Sequence, residues 1–398
     1  MNNEKRFPCV ADLEARALLR LPKFVREYLT SGIGNGVGVR KNRTDLDGVG
    51  LLPRYFSKAF QPDMRCRLLG QDFDAPFGVA PMGLCGLIWP KAEMILAAAA
   101  RLHNIPYALS TVATESLEDI REVAGANAWF QLYTPRESEI RNDLLRRCEA
   151  VGYGTLIVTV DVPCQTRREH DIRNGISVPP QFNLATLCQM MGHPNWALRM
   201  LRAGIPKFVN LAPYYDRDKS RGHSDEIKQS IKFITERFGL HIGREIFDEI
   251  RAHWSGKLLV KGVLSGEDAK AYINLGADGL IVSNHGGRQL DAAPSPVAVL
   301  PGIREAVGPE VPVIVDSGAR SGLDVARMLA MGADFVMMGR PFMFAVAALD
   351  RQGGDHVMQI LKAELRSTMG QLGCEAVQDL PKHLLGQPQG RELGSSSP

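Results

Sequence analysis

The chain contains 398 residues, of which 45% are hydrophobic and 23% are charged. These values are typical of a soluble globular protein with a large core, and the length suits one large α/β barrel or two ordinary domains. The 47 basic and 44 acidic residues give a net charge of +3. This balance does not favour nucleic acid as a partner.

The seven cysteines are scattered, with no CxxC or Cys/His spacing that would hold a metal. We therefore expect reduced thiols, a cytoplasmic setting and no metal site. The N-terminus has no apolar stretch of the kind found in a secretory signal, and no apolar run is long enough to span a bilayer.

Along the chain, residues 1–70 form a predicted extension with a helix in LPKFVREYLTSG. Eight short apolar runs follow, and helical patterns such as SGLDVARMLAMG lie between most of them. Buried strands that alternate with helices predict a parallel sheet covered on both faces. Eight such strand–helix units favour a (β/α)8 TIM barrel over a doubly wound sheet, and no GxGxxG dinucleotide-binding motif follows the first strand. The predicted strands are 77–81, 106–110, 129–133, 155–161, 257–262, 279–284, 311–318 and 335–340.

Strands four and five start about 100 residues apart, whereas most others start roughly 22 to 32 residues apart. A long insertion, at about 172–240, is therefore predicted after strand four, at the end of the barrel that holds active sites. We expect residues 1–380 to form a single barrel domain. The ending GQPQGRELGSSSP predicts a disordered tail over 381–398.

Almost every predicted strand ends in a group that hydrogen-bonds or titrates. Because the C-terminal ends of barrel strands meet at one mouth, we expect these groups to converge there. His285 alone fits a structural role as well as a functional one, but the ring as a whole predicts a functional mouth. Its members are Pro81, Met82, Gly83, Ser110, Thr111, Gln131, Tyr133, Thr159, Asp161, Lys261, Ser283, His285, Arg288, Asp316, Ser317, Gly318, Gly339 and Arg340.

The last two strands are followed by DSGARSG and MGRP. Glycine lets backbone N–H groups approach an anion, and Arg320 and Arg340 can hold phosphate oxygens bidentately. Barrels commonly bind phosphate at this position. A phosphorylated substrate or a nucleotide cofactor is indicated, and two ordinary turns with solvated arginines are the alternative.

The stretch SNHGGRQLD, at 283–291, resembles the signature of the FMN-dependent L-2-hydroxy acid oxidases and dehydrogenases. The resemblance continues in order through WFQLY, VTVDVP, RREHDIRN, LLVKGV and DSGAR, and covers most of the chain. Within that family, GLIWPK and Gly83 look most like (S)-mandelate dehydrogenase. GHPNWA and RAGIPKFVNL are similar to the bacterial membrane L-lactate dehydrogenases.

The resemblance implies oxidation of an L-2-hydroxy acid to the 2-oxo acid, with a mandelate-like acid or lactate as substrate. His285 is the implied base, and it removes either the α-proton or the hydroxyl proton. Asp161 is the carboxylate that orients it. Tyr133 and Arg288 complete the catalytic set, and the implied substrate-binding residues are Tyr28, Tyr133, Arg168, His285 and Arg288.

The resemblance also implies FMN as the electron acceptor. Lys261 would place positive charge near N1 of the flavin, and Asp316 would meet the ribityl chain. The remaining cofactor residues are Pro81, Met82 and Gly83 along the ring, Ser110, Gln131 and Thr159 at its edge, Gly318, Arg320, Gly339 and Arg340 at the phosphate, and Ser283, Ser317 and Ala319 beside them. Simpler roles stay open for three residues, namely helix packing for Tyr28, surface exposure for Lys261 and a cap for Asp161.

Departures from the family pattern affect substrate and acceptor. Val112 stands where glycolate oxidase-like members carry tryptophan, which opens the pocket and argues against glycolate. Gly83, where oxidases carry alanine, favours a membrane quinone or similar acceptor, although it also fits a tight turn. Alternatives are an oxygen-using oxidase, an FMN enzyme for a larger or peptide-derived substrate, and a scaffold with a dead site, against which the intact catalytic residues argue.

The insertion has no Asp or Glu from Ile172 to Tyr215 and carries Arg173, Arg199, Arg202 and Lys207. An apolar, basic segment suits an anionic membrane surface, contacted through 177–215. A lid over the active site and a subunit contact are the alternatives. From the resemblance we expect a homotetramer, peripheral on the inner face of the cell membrane.

Overall fold

A computed structural model describes residues 3–56, 58–174, 184–204, 206–215, 233–234, 236–239 and 241–386. The N-terminal extension contains helices Asn3–Arg6, Val10–Arg20, Lys23–Thr30 and Val37–Asp47. The third of these is the helix predicted from LPKFVREYLTSG. It buries Phe24, Val25 and Leu29 and leaves Tyr28 partly exposed.

Two short strands, β1 (Cys66–Leu68) and β2 (Gln71–Phe73), pair antiparallel and cover the N-terminal end of the barrel. Leu68 and Phe73 pack into a buried cluster with Trp129 and Phe335, which lie at the starts of barrel strands. Sequence patterns did not predict this hairpin, because three residues are too few to show a period of two.

The barrel strands are β3 (Phe77–Met82), β4 (Tyr107–Ser110), β5 (Ala128–Leu132), β6 (Thr155–Thr159), β7 (Lys257–Val263), β8 (Gly279–Val282), β9 (Val313–Val315) and β10 (Phe335–Met338). They are parallel and follow one another around the barrel, which closes where β10 pairs with β3. Every residue of β4, β5, β6 and β8 is buried, as expected of strands covered on both faces. The predicted (β/α)8 barrel is therefore confirmed.

Helices on the outside connect the strands. Three of them begin at a serine, Ser116, Ser265 or Ser321, whose hydroxyl accepts the N–H three residues later. The helices after β3 are Cys85–Ile88, Ala92–Leu102, Leu117–Ala124, Ser138–Val151, Arg244–His253, Gly266–Asn274, Pro296–Val307, Gly322–Ala330, Arg340–Leu349 and Gly353–Leu372, with 3-10 helices Gly125–Asn127, Asp350–Gln352 and Val377–His383.

The predicted insertion lies between β6 and β7. Its described residues form helices Glu169–Arg173, Leu184–Met191, Pro194–Ala203 and Ala212–Tyr215. Trp196 fixes it to the barrel, because this indole is 2% exposed and donates to the carbonyl of Ile88 at 3.1 Å. Its ring also meets Phe24 edge-on at 5.6 Å.

The C-terminal residues pack on the N-terminal extension before the described chain ends at 386. His383 is buried, its Nδ1 lies 3.1 Å from the carbonyl of Leu52, and Leu384 forms a bridge with Leu51. The start of the predicted tail thus belongs to the folded barrel domain, and 387–398 lies outside the described residues.

Candidate active site

The C-terminal ends of the strands surround a cavity of about 510 Å³. Most of the site residues predicted from the sequence line it. They are Tyr28, Pro81, Met82, Gly83, Tyr133, Arg168, Lys261, His285, Arg288, Asp316, Ser317, Gly318, Ala319, Arg320, Gly339 and Arg340. The remaining ones, Ser110, Thr111, Gln131, Thr159, Asp161 and Ser283, lie behind this lining and hydrogen-bond to it or to one another.

His285 follows β8 in a left-handed backbone conformation, with φ of 58°. A non-glycine residue in this region is strained, and such strain is concentrated at functional sites. Two hydroxyls hold the turn, because Ser283 Oγ accepts the His285 N–H at 3.0 Å and Ser317 Oγ accepts the Gly286 N–H at 2.9 Å. The backbone that carries the imidazole is therefore held in place before any substrate binds.

The imidazole of His285 is oriented by Asp161. Its Nδ1 lies 3.0 and 3.2 Å from the two carboxylate oxygens. Since a carboxylate only accepts, Nδ1 carries the proton and Nε2 is left with its lone pair, 3.1 Å from the hydroxyl of Tyr133. Asp161 thus acts on the histidine and does not cap a helix.

Burial lowers the pKa of His285 below its usual value, although the charge of Asp161 opposes this effect. Burial alone would raise the pKa of Asp161, but His285 and Lys261 bring it below the usual value. At neutral pH the pair is therefore a neutral imidazole beside a carboxylate, which is the arrangement that general-base catalysis needs.

Two guanidinium groups line the same cavity. Arg288 donates from Nη1 to the carbonyls of Tyr28 at 2.7 Å and Ser31 at 3.2 Å, and its Cζ lies 5.0 Å from the centre of the Tyr28 ring. Burial and then the nearby charge of Arg168 lower the pKa of Arg288. A pair of close, like-charged cations is stabilised by an anion between them.

A chain of buried side chains crosses the strands beneath the cavity. Ser110 Oγ donates to Gln131 Oε1 at 2.9 Å, and Gln131 Nε2 donates to Thr159 Oγ1 at 2.8 Å. The neighbouring Lys261 is also buried, which excludes the surface role considered for it, and its Nζ lies 3.1 Å from Asp316 Oδ2. Burial lowers the pKa of Lys261, but Asp316, Asp161 and Tyr133 together raise it above the usual value, so the lysine stays cationic.

The end of the cavity near β9 and β10 is suited to an anion. Gly318 has φ of 105°, and a Cβ there would lie 2.7 Å from the carbonyl oxygen of Asn42, so only glycine fits. Arg340 starts a ten-residue helix and donates to the carbonyls of Leu29, Ser31 and Gly286.

Arg320 donates from Nη1 to the carbonyl of Ala319 at 2.9 Å. Burial lowers the pKa of Arg320 to about 10, and burial together with the charge of Arg320 lowers that of Arg340. Within the described part of the chain, neither Arg320 nor Arg340 forms a salt bridge with a carboxylate. A bound anion would offset their charge.

Several cavity residues were not predicted as site residues. Val162, Thr166 and Gln289 come from loops after strands, Asp171 comes from the helix Glu169–Arg173, and Phe208, Ile234 and Phe238 come from the insertion. Val112, noted above only as a departure from the family pattern, lines the cavity too, and so does Gln165. For the loop residues, nearness to strand ends was the available signal, whereas nothing in the local sequence places the insertion residues over the mouth.

Comparison with known proteins identifies the family. Residues 17–387 match the family described as FMN-dependent dehydrogenase. The chain belongs to that family, and FMN is its cofactor. An L-lactate dehydrogenase of Xanthobacter autotrophicus is 35% identical over 387 residues, covering 97% of this chain and 98% of the relative. An L-lactate dehydrogenase of Vibrio cholerae is 35% identical over 375 residues, covering 94% of this chain and 97% of the relative.

Solved structures agree in fold over nearly the whole chain. A monotopic membrane protein, (S)-mandelate dehydrogenase, has a TM-score of 0.89 and 34% identity, covering 95% of this chain and 99% of its own. A mandelate oxidase bound to (S)-4-hydroxymandelic acid has a TM-score of 0.81 and 34% identity, covering 95% and 98%. Fold and family are therefore shared by dehydrogenases and an oxidase.

The residues of this chain fit FMN. The guanidiniums of Arg320 and Arg340 and the Gly318 turn suit its phosphate. The buried Lys261 supplies positive charge, and the amide and hydroxyl groups behind the lining can meet a polar ring edge. Arg320, Arg340, Lys261 and His285 line the same cavity, so cofactor and substrate would share it.

Proposed function

We propose that this FMN-dependent dehydrogenase oxidises an L-2-hydroxy acid to the 2-oxo acid, with His285 as the base. The observation that carries the proposal is the His285–Asp161 pair in a cavity also lined by Arg168 and Arg288. Lactate and mandelate, after which the relatives are named, both have the carboxylate, hydroxyl and α-hydrogen that this set of groups can bind and deprotonate.

In the proposed mechanism, Arg168 and Arg288 hold the substrate carboxylate. A hydrogen bond to a charged group contributes about 1.5–3 kcal/mol, so two arginines can retain a small acid. The contacts of Arg288 to two backbone carbonyls fix its guanidinium in advance. This fixed guanidinium then sets which face of the substrate His285 meets.

His285 Nε2 accepts a proton from the α-carbon or from the hydroxyl, and Asp161 stabilises the imidazolium that results. Bound FMN would supply the acceptor for the two electrons that leave the substrate. Both routes remove the α-hydrogen and the hydroxyl proton and yield a carbonyl. Tyr133, whose hydroxyl lies 3.1 Å from Nε2, can hydrogen-bond the substrate oxygen.

The test is anaerobic mixing of the FMN-loaded enzyme with L-lactate, (S)-mandelate and glycolate. Loss of the oxidised flavin absorbance, together with one 2-oxo acid per flavin, supports the proposal. If none of these acids bleaches the flavin, the 2-hydroxy acid assignment is wrong. A panel of larger and peptide-derived substrates would then follow.

We further propose that electrons leave to a membrane quinone or similar acceptor. Gly83 and the apolar insertion motivate this choice. An oxygen-using oxidase is the second candidate, because a mandelate oxidase is among the similar structures. Mixing reduced enzyme with air-saturated buffer or with a quinone analogue separates the two, since fast oxygen reaction with a poor quinone rate would make this an oxidase.

We also propose that the insertion contacts an anionic membrane surface on the inner face of the cell membrane. Leu187, Met191, Leu198 and Leu201 are exposed on its two longer helices, while Trp196 points inward. One of the basic residues offers less charge to lipid, because Arg199 pairs with Asp350 at 2.9 Å. Among the described residues, no helix combines the length and apolar character needed to cross a bilayer.

Finally, we propose that the chain assembles as a homotetramer. Exposed apolar side chains outside the insertion, including Tyr55, Phe56 and Leu385, support a contact between subunits. Light scattering in non-denaturing detergent tests this, and a monomer would contradict it.

A further inference from the structure

Part of the cavity lining is apolar, and three large side chains of this part come from the later half of the insertion. Phe208, Ile234 and Phe238 line the cavity, and we call these three residues the apolar roof. Val112 and Val162, from the loops after β4 and β6, line the same cavity. The proposed mechanism uses none of these five side chains.

The roof is held in place at Phe238. The backbone N–H of Arg136 donates to the carbonyl of Arg237 at 2.9 Å, and Arg136 Nη2 donates to the carbonyl of Gly239 at 3.2 Å. One arginine of the β5 loop therefore fixes the residues on both sides of Phe238. The Phe238 side chain is nearly buried and meets the ring of Phe233 edge-on at 6.1 Å.

A second anchor holds Phe208. Asn210 is fully buried, and its side chain accepts from the N–H of Leu117 at 2.8 Å and donates to the carbonyl of Glu115 at 3.1 Å. The N–H of Leu211 donates to the carbonyl of Phe208 at 3.0 Å. Both rings thus belong to backbone that the barrel loops hold, which makes the roof a preformed surface for a ligand.

We propose that the apolar roof is the subsite for the side chain of the substrate and selects L-2-hydroxy acids with a bulky apolar group, aryl or branched alkyl. This inference rests on the proposed function, in which the arginines hold the carboxylate. The side chain of the substrate then fills the part of the cavity that carries no charge. A methyl group, as in lactate, leaves the roof largely unfilled.

The physical basis is the gain from filling an apolar pocket. One methylene changes the specificity of an enzyme by about 10- to 200-fold in such a pocket. A phenyl group that contacts Phe208 and Phe238 should therefore be preferred over a methyl group by at least that factor. The second-order rate constant of flavin reduction should show this preference.

The experiment compares anaerobic flavin reduction by (S)-mandelate and L-lactate in the FMN-loaded full chain. The variants are Phe238→Ala, Phe208→Ala and the conservative Phe238→Leu. Val209→Ala is the matched control, because Val209 neighbours Phe208, is 36% exposed and does not line the cavity. The lactate rate in each variant reports whether the base, the arginines and the cofactor remain in place.

We expect the wild type to prefer mandelate, and Phe238→Ala and Phe208→Ala each to lower the mandelate-to-lactate ratio at least about tenfold. Most of the loss should appear in the substrate dissociation constant, with partial recovery in Phe238→Leu and no change in Val209→Ala. A wild type that prefers lactate, or a ratio unchanged in both alanine variants, would overturn the inference. If neither acid reduces the flavin of the wild type, the proposed function itself has failed.

Discussion

A Cβ added to Gly83 would lie 2.6 Å from Cγ2 of Val112. The two loops are also joined by a hydrogen bond, because the N–H of Leu84 donates to the carbonyl of Val112 at 2.9 Å. Gly83 is not among the residues with positive φ, so a left-handed turn does not explain this glycine. It is required because Val112 occupies the space that a side chain would need.

The first prediction follows from this pair. Gly83→Ala should destabilise the protein by about 1–3 kcal/mol, as overpacking does. The double variant Gly83→Ala with Val112→Ala should recover most of the loss, whereas Val112→Ala alone should cost less than Gly83→Ala. Urea unfolding of the four proteins gives the coupling. Additive losses would show that the two residues do not compete for space.

The same four proteins test how Gly83 affects the reaction of reduced flavin with oxygen. We expect Gly83→Ala to raise the rate at which oxygen reoxidises the reduced flavin. If the added methyl group acts directly, the double variant should keep the faster rate while regaining stability. A return to the wild-type rate would assign the effect to the displaced Val112 loop instead.

Patterns of local sequence predicted the barrel because parallel strands buried on both faces appear as continuous apolar runs. They predicted the positions of His285, Arg288 and Lys261 because the C-terminal ends of such strands meet at one mouth. Contacts between distant segments were not predictable. Phe208 is partly buried and lines a mouth formed by strands far away in the chain, and its local pattern does not identify its partner.

Electrostatic pairing was equally hidden in the insertion. Arg199 looked like one of several outward cations, but it pairs with Asp350 and its Cζ lies 5.1 Å from the ring centre of Trp89. Only the fold brings a carboxylate from after β10 to this helix. Composition therefore indicated the charge of the segment correctly and overestimated the charge that it can offer to a lipid.

The second prediction concerns pH. Because burial lowers the pKa of His285, the imidazole should stay neutral at pH values below the usual pKa of histidine. Flavin reduction should then be flat around neutral pH and fall only as the pH drops through that lowered pKa. On the plateau, His285→Asn should retain FMN and lose about 10²–10⁴-fold in reduction rate. A near-native rate in this variant would remove the histidine from the mechanism.

Asp161→Asn provides the companion measurement. The carboxylate raises the pKa of His285, so its loss should shift the acid limb of the profile to lower pH. The plateau should fall as well, because the imidazolium loses its stabilising charge. An acid limb that moves to higher pH would contradict the assigned interaction. Rate against pH, measured by stopped-flow bleaching, reports both effects.

The third prediction concerns the anion clamp. Arg288→Lys should weaken substrate binding by about 1.5–3 kcal/mol. Lysine keeps the charge, but it lacks the planar fork that binds the carbonyls of Tyr28 and Ser31 and at the same time faces a carboxylate. The measurement is the substrate concentration for half-maximal bleaching. Arg304→Lys, on an outer helix near Asp334, is the matched control. If Arg288→Lys and Arg304→Lys required equal substrate concentrations for half-maximal bleaching, Arg288 would not belong to the anion clamp.

The fourth prediction tests the anion end of the cavity. Arg320→Gln removes one buried guanidinium near the Gly318 turn, and FMN should then dissociate at least about tenfold more readily, the equivalent of one lost charged hydrogen bond. Flavin fluorescence, which rises on release, gives the dissociation constant. Riboflavin, which lacks the phosphate, should bind the wild type and the variant alike. A loss of equal size for riboflavin would point to general disruption of the cavity.

The fifth prediction concerns the membrane. Leu198 and Leu201 lie three residues apart and so share one helix face, and Leu201 is 80% exposed. Each leucine that enters the bilayer interface would contribute up to about 1.5–3 kcal/mol, whereas a glutamate would be repelled by anionic lipid. The double variant Leu198→Glu with Leu201→Glu should therefore lose liposome flotation, with FMN content and bleaching by substrate unchanged.

These point variants are sharper than replacing 177–215 by a polar loop, because that replacement also removes the Trp196 and Asn210 anchors. The matched control is Leu102→Glu, since Leu102 is 71% exposed at the end of a barrel helix. Apolar contact should resist high salt, whereas a purely electrostatic contact would be screened. Flotation that survives the double variant, or that Leu102→Glu lowers equally, would leave the insertion as a lid over the cavity or as a subunit contact.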